Sequence, residues 1–433
     1  MKRGLVLGAA RVCLTASVLT TGVLSNSARA QAEPKAEPPA WSVTYNQEHR
    51  YISWSGTRGT PANFANGQPG KGSQFYMPFG FELAGQPHRD VKVELLLRSG
   101  YVQASQRSAG GLSGSVSTYL DTTLGGTVTY LGFAGIQPYV SMNISLPTGR
   151  SVLWGNSAFA RMDPDLVDVP TYGEGFNFGP TAGVNIPLAD NLLIGLGVGY
   201  TNRGAYERDS VLAGNGVSNL TLPLSRFNPG DSVSYNASVA YAPGPWTLNA
   251  ALTYVTTTRT TLDGGFAGRP RPTISLSGGA AYQWDERNRS SLTASWSFTG
   301  RNDILDPALQ IVAEPFNSNS NIYRLAFDQT YKLNEDWTIG LTGSWLYRDA
   351  NAYLPISASF VPAKTRWSAG AVAQYAVNKA IGLNARVERI WIRERDKPDV
   401  IDIVNCGGVC PGSAVPALNY DGWLVSLGGT VQF

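Results

Sequence analysis

The chain has 433 residues, 34 Lys and Arg against 31 Asp and Glu, and a formal charge of +3. Four of the cations, Lys2, Arg3, Arg11 and Arg29, fall in an N-terminal leader, and removing them takes the charge to about −1, so the apparent basicity is partly a targeting feature and gives no argument for nucleic acid. With only 15% charged residues, 48 Gly, 26 Pro and almost no helical period, the composition argues against a soluble helical enzyme.

The leader has the layout of a secretory signal peptide: basic residues, an apolar run, and a small-x-small site at Ala28-Arg29-Ala30. Residues 1–30 are therefore expected to be removed, Cys13 with them, and the Pro-rich stretch 31–40 to form a periplasmic tail. Beyond the leader no run of 18 apolar residues occurs, which excludes a helical span. Backbone groups in lipid must pair internally, so the remaining membrane solution is a closed barrel.

Residues 41–433 carry that pattern. The first strand, between Trp41 and Ser55, alternates poorly. Phe75, Met77, Phe79, Phe81 and Leu83 then form one face of a second strand, and Val91, Val93, Leu95 and Leu97 one face of a third. A less regular strand follows near 116 to 131, and Ile136 to Leu146 alternates cleanly with Gln137, Tyr139, Ser141, Asn143 and Ser145. Hairpins follow whose apolar faces include Val184 and Leu196, Val239 and Leu252, Leu276 and Leu292, Phe327 and Leu341, Ala371 and Leu383. The alternation slips at Arg389-Ile390-Trp391, read as the strand leaving the bilayer or a bulge. The last stretch, Asp421 to Phe433, alternates Trp423, Val425, Leu427 and Val431 with Ser426, Gly428 and Thr430.

The period of two, at bilayer-crossing length, predicts an all-β, antiparallel, up-and-down transmembrane barrel of about sixteen strands, fourteen being the alternative count. Short periplasmic turns are expected near 84–90, 132–135, 188–191, 243–245, 285–289, 333–336 and 377–380. Long extracellular loops are expected near 150–175, 206–230, 303–318, 351–364 and 395–420.

The inward positions are mostly Ser, Thr, Asn, Gln and Gly, and a barrel this wide leaves an aqueous lumen. Its charged candidates are Lys92, Glu94, Arg98, Arg203, Arg324, Asp328, Lys332, Arg348, Arg386 and Glu388. Such charges either tune which solutes pass or pair across strands and only solvate the wall. In the loop 150–175, Arg161, Asp163, Asp165 and Asp168 are gate candidates if the loop folds inward; a solvated acidic loop is the alternative. The three aspartates lack the turn glycine and further oxygens of a calcium loop. Cys406 and Cys410, in CGGVC on an exported loop, are expected to form a disulfide. No metal or cofactor is expected. Gly195 to Gly199 mimics a dinucleotide fingerprint, but no helix pattern follows it. His49 and His88 stand away from any obvious nucleophile, which argues against an enzyme.

The terminal Phe433 resembles the assembly signal of bacterial outer-membrane proteins. Asn143 to Arg150, a strand ending in Leu146-Pro147-Thr148-Gly149, together with Gly173-Glu174-Gly175 and the strand pair 176–204, resembles the transport barrels associated with phenol-degradation pathways. That resemblance implies passage of small, often hydrophobic compounds. The expected reading is an outer-membrane pore or transporter for passive passage of small solutes. Its partners would be outer-membrane lipid, the barrel-assembly machinery and the solute. Alternatives are an autotransporter-type translocator, which needs a passenger and linker helix, and a surface protein that binds through its loops.

Overall fold

The computed structural model describes residues 41–56, 70–107, 113–133, 135–208, 224–306, 308–355, 357, 359–396 and 417–433. The leader, the tail to residue 40, and Cys406 with Cys410 lie outside the described residues.

Sixteen antiparallel strands form the wall among the described residues: β1 (Trp41–Gly56), β2 (Gly70–His88), β3 (Val91–Arg107), β4 (Ser113–Tyr119 and Thr122–Tyr130), β5 (Gln137–Leu146), β6 (Asn177–Ala189), β7 (Leu192–Arg203), β8 (Ser232–Tyr241), β9 (Trp246–Thr257), β10 (Thr273–Gln283), β11 (Asn288–Thr299), β12 (Ile322–Lys332), β13 (Trp337–Arg348), β14 (Lys364–Ala376), β15 (Ile381–Glu394) and β16 (Leu418–Gln432). Each pairs with its sequence neighbours, and β16 returns to pair with β1 over thirteen positions from Thr44↔Gln432 to Gly56↔Tyr420. At that seam the Phe433 N–H donates to the Val43 carbonyl at 2.9 Å and the Val43 N–H to the Phe433 carbonyl at 3.2 Å. Closure leaves no unpaired edge for lipid to solvate.

The alternation that defines the strands sorts the two faces. Leu341 is 65% and Leu427 59% exposed on the outside, while their neighbours Thr342 and Ser426 are 6% and 2% exposed on the inside. Aromatic residues cluster on the outer face, such as Trp337 against Tyr375 at 4.7 Å and Tyr101 against Tyr119 at 5.6 Å between ring centroids, the arrangement of interfacial girdles.

Three expectations are corrected. The bulge alternative at Arg389-Ile390-Trp391 is overturned: β15 pairs without a bulge to Glu394 on both sides, and Ile390 and Ile392 point inward. The β2–β3 hairpin is tighter than 84–90, because β2 continues to His88. The irregular strand near 116 to 131 is two segments that both pair with β3 around a break at Leu120-Asp121. The inner face alternates Gly114 and Val116 in the first segment with Thr123 and Thr127 in the second, so the break switches parity. The connections after β7, β9 and β11 also carry short strands of their own, and the one after β9 is not among the long loops expected. They carry Tyr206–Arg208, Ser225–Asn228, Thr260–Leu262 and Gly265–Gly268 in one four-stranded sheet, and the Asp303–Leu305/Ile311–Ala313 pair beside it.

Candidate functional site

The largest departure from an all-polar interior lies at the closure seam. Ile52 and Trp54 of β1, Val102 and Ala104 of β3, Val116 of β4, Ile390 and Ile392 of β15, and Tyr420 and Leu424 of β16 all face inward and are buried. What covers them is the segment 149–174, between β5 and β6. Its Leu153, Ala158, Ala160, Met162, Leu166, Val167, Val169 and Tyr172 complete one apolar cluster with that wall. Ile392 and Leu153 are both 0% exposed. The loop is thus held inside the barrel by hydrophobic burial.

Sequence shapes the loop locally. Gly155–Ala160 forms a short 3-10 turn, with the Trp154 N–H donating to Ser157 Oγ at 2.9 Å. The turn lies directly on Gly114: a Cβ there would stand 2.1 Å from the Asn156 carbonyl oxygen and 2.7 Å from the Ala160 nitrogen. The next turn closes on Asp163, whose carbonyl accepts from the Leu166 N–H at 2.9 Å and whose Oδ1 accepts from the Asp165 N–H at 2.9 Å.

Polar clasps fix the loop where apolar contact alone would let it slide. Gln74 of β2, 0% exposed, donates to the Val169 carbonyl at 2.8 Å and accepts from the Val169 N–H at 3.1 Å. Gln106 of β3 donates to the carbonyls of Phe159 and Arg161, both at 2.9 Å. Asp121, at the break in β4, grips both ends of the loop: Oδ1 accepts from the Gly149 N–H at 2.8 Å and Oδ2 from the Glu174 N–H at 2.6 Å. The LPTG turn and the Gly173-Glu174-Gly175 stretch therefore meet at one carboxylate.

The loop aspartates each take a different set of cations. Asp163 pairs with Lys364 at the start of β14. Asp165 pairs with Arg348 at 3.0 Å and Lys364 at 3.2 Å, and Glu394 at the end of β15 joins them at 3.3 and 3.0 Å. Asp168 reaches Arg50 of β1 at 3.3 Å, which is also held by Glu48 at 2.7 Å. Burial is the largest influence on Asp163 and works against its charge, but Lys364, the Asp165 N–H and Arg348 together outweigh it and hold the carboxyl below the usual carboxylate range. Burial pushes the Tyr172 hydroxyl up to about 12, so it remains a neutral donor to the Ala160 carbonyl at 3.3 Å.

The other charged candidates are dispersed. Lys92 and Glu94 pair along β3 at 2.8 Å, Arg386 pairs with Glu388 on β15 and reaches Thr342 at 3.3 Å, and Arg203 meets Glu174 at 3.5 Å. Arg324 faces inward opposite Leu346, whose other neighbour is Arg366. Arg98, Asp328 and Lys332 form no ion pair among the described residues. The Arg161 carbonyl is held by Gln106. Lys364, Arg50, Glu394, Gln74, Gln106 and Asp121 were not singled out from sequence. Lys364 sat at the edge of a predicted loop, and the two glutamines look like any inward polar residue. His49 lies against Phe75 and Gln47, and His88 against Asp90; among the described residues neither is hydrogen-bonded to a serine.

Opposite the docked loop, the inner face of β6 to β11 carries Gly183, Gly195, Ser234, Asn249, Thr253, Ser277 and Thr293. The contacts of 149–174 fall mainly on β13 to β16 and β1 to β4, so the loop occupies one side of the interior.

No family model and no curated protein matches the chain. Among solved structures it is similar to an outer-membrane channel from Pseudomonas putida F1, at 13% identity over 68% of this chain and 99% of that one, with a TM-score of 0.40. It is also similar to a FadL homologue from Pseudomonas aeruginosa, at 12% identity over 90% and 89% of the two chains with a TM-score of 0.42. A TodX mutant described as a monoaromatic hydrocarbon channel gives 13% identity, 92% and 91% coverage and a TM-score of 0.39. The outer-membrane location rests on the closed wall itself, with its apolar outer belt and aromatic girdles.

Proposed function

We propose that the protein is an outer-membrane channel for the passive passage of small solutes, narrowed by the segment 149–174. The observation that carries this reading is the asymmetry of the interior. One side is filled by a clasped apolar loop, and the facing side, β6 to β11, presents small polar residues that suit a water-filled path. A wide barrel that served only to display loops would need no internal partition. The ion pairs joining Asp163, Asp165 and Asp168 to the wall hold the loop in place, and the loop's position would set how much of the lumen stays open.

The test is conductance of the purified protein in planar bilayers, combined with vesicle swelling in solutes of graded size. Discrete ohmic steps and a size cut-off that rises when 155–170 is deleted support a channel. Silence from a barrel that keeps its folded, heat-modifiable mobility favours a surface scaffold instead.

A further inference from the structure

Towards one end of the barrel at the seam, the outward positions of β1 to β4 turn polar while the strands continue. In register across five strands, the outward positions read Trp423, Ser53, Ser73, Ser105 and Ser115, with Arg389 beside Trp423. The next row outward reads Asp421, Ser55, Lys71, Arg107 and Ser113. This end of the barrel lies opposite the Val43–Phe433 contact and the short turns, so it faces the outer leaflet.

Lys71 and Arg107 are directly opposite cross-strand partners on the same face, an arrangement of like charges that costs stability when nothing neutralises it. Neither has an acidic partner among the described residues. Asp421 is taken by Arg393 at 3.1 Å. Arg389 lies 5.2 Å over the Trp423 ring and forms no ion pair among the described residues. Lys71, Arg107, Arg389, Asp421 and the serines border one open cavity of about 680 Å³, whose lining also includes Trp54, Gln106 and Asn156 from the inner side.

We infer that this cavity binds the phosphorylated sugar headgroup of an outer-leaflet glycolipid, with Lys71, Arg107 and Arg389 on phosphate and the serine row on sugar hydroxyls. Charge complementarity selects the occupant. Three cations and a ladder of hydroxyls match a phosphosugar, and Trp423 beneath them sits at the depth where headgroup meets acyl chain. An anion between Lys71 and Arg107 would turn their repulsion into shared attraction.

The full-length purified protein is titrated with doubly phosphorylated lipid A, with dephosphorylated lipid A, and with inorganic phosphate, and retention is read by native mass spectrometry. The phosphorylated lipid is expected to bind. The triple variant Lys71→Gln, Arg107→Gln, Arg389→Gln is expected to lose at least about tenfold in affinity, since each cation near an anionic surface contributes on that scale. Lys379→Gln, in the β14–β15 turn at the other end, is expected to bind as the unaltered protein does. Because the triple variant could misfold, the unaltered protein is also titrated against salt, and binding is expected to weaken as ionic strength rises. Equal binding of the dephosphorylated lipid, an unaffected folded triple variant, or salt-insensitive binding would overturn the inference. Inorganic phosphate binding as tightly as the lipid would assign a small-anion site and overturn it too.

Discussion

Lys364, at the start of β14, forms a buried ion pair with Asp163 of the docked loop, although 201 residues separate them in the chain. Both side chains are nearly inaccessible, at 3% and 6% exposure. A buried pair of this kind contributes little net stability compared with an apolar replacement, but removing one partner strands the other charge. The pair therefore acts on where the loop sits more than on whether the barrel holds.

Replacing Lys364 with Met leaves Asp163 buried without its closest cation. Undocking of 149–174 is expected to become easier by about 3 kcal/mol. Hydrogen exchange should show faster exchange at Leu166 and Val167, whose N–H groups bond to the Asp163 carbonyl, with unchanged protection in β8 to β11. Open-channel current should rise and become noisier.

The same pair sets a pH dependence. The Asp163 carboxyl is held below its ordinary value of 3.8, so its contribution to docking is fully present above that value. It is lost as pH falls through the depressed folded value. Channel noise is expected to stay flat from neutral pH to about 4 and to increase only below that. In Lys364→Met, burial acts unopposed by that cation and raises the Asp163 pKa, so any pH transition should move upward. Transitions at the same pH in both proteins would remove Asp163 from the account.

Asp121→Asn keeps one acceptor oxygen and replaces the other with a donor facing an N–H, either that of Gly149 or that of Glu174. The cost is expected to be about 1–3 kcal/mol at the loop hinge. Limited proteolysis should then cut within 149–174 while the barrel resists, at a rate at least several times that of the unaltered protein.

Gly114→Ala tests contact between wall and loop. The added Cβ would lie 2.1 Å from a backbone oxygen of Asn156, so the 3-10 turn must move. The expected result is a folded barrel of normal heat-modifiability with altered conductance. A substitution that changed neither conductance nor loop exchange would mean that the turn does not rest on β4.

How much was readable depended on the range of the interaction. The wall was legible because each lipid-facing residue repeats at the strand period, and short turns such as Asn334-Glu335-Asp336 close locally. The same periodicity misled at Ile390 and Ile392. Apolar residues on both faces look like a broken strand when the partner of the inner face lies as far back in the chain as the segment 149–174. The sign that could have revealed it was composition: Leu153, Ala158, Met162, Leu166, Val167 and Val169 are too apolar for a loop left in water.

By itself, the sequence determined a lipid-facing residue at every second position, strands of spanning length and the parity of turns and loops, because these follow from backbone geometry and hydrophobicity within one strand. Only the tertiary structure decided that 149–174 lies inside the barrel and which charges meet there. Lys364 with Asp163, Arg348 with Asp165 and Arg50 with Asp168 become neighbours only when β16 closes on β1 and curls the sheet around the loop. Hydrophobic period is a local property; proximity across a closed cylinder is not.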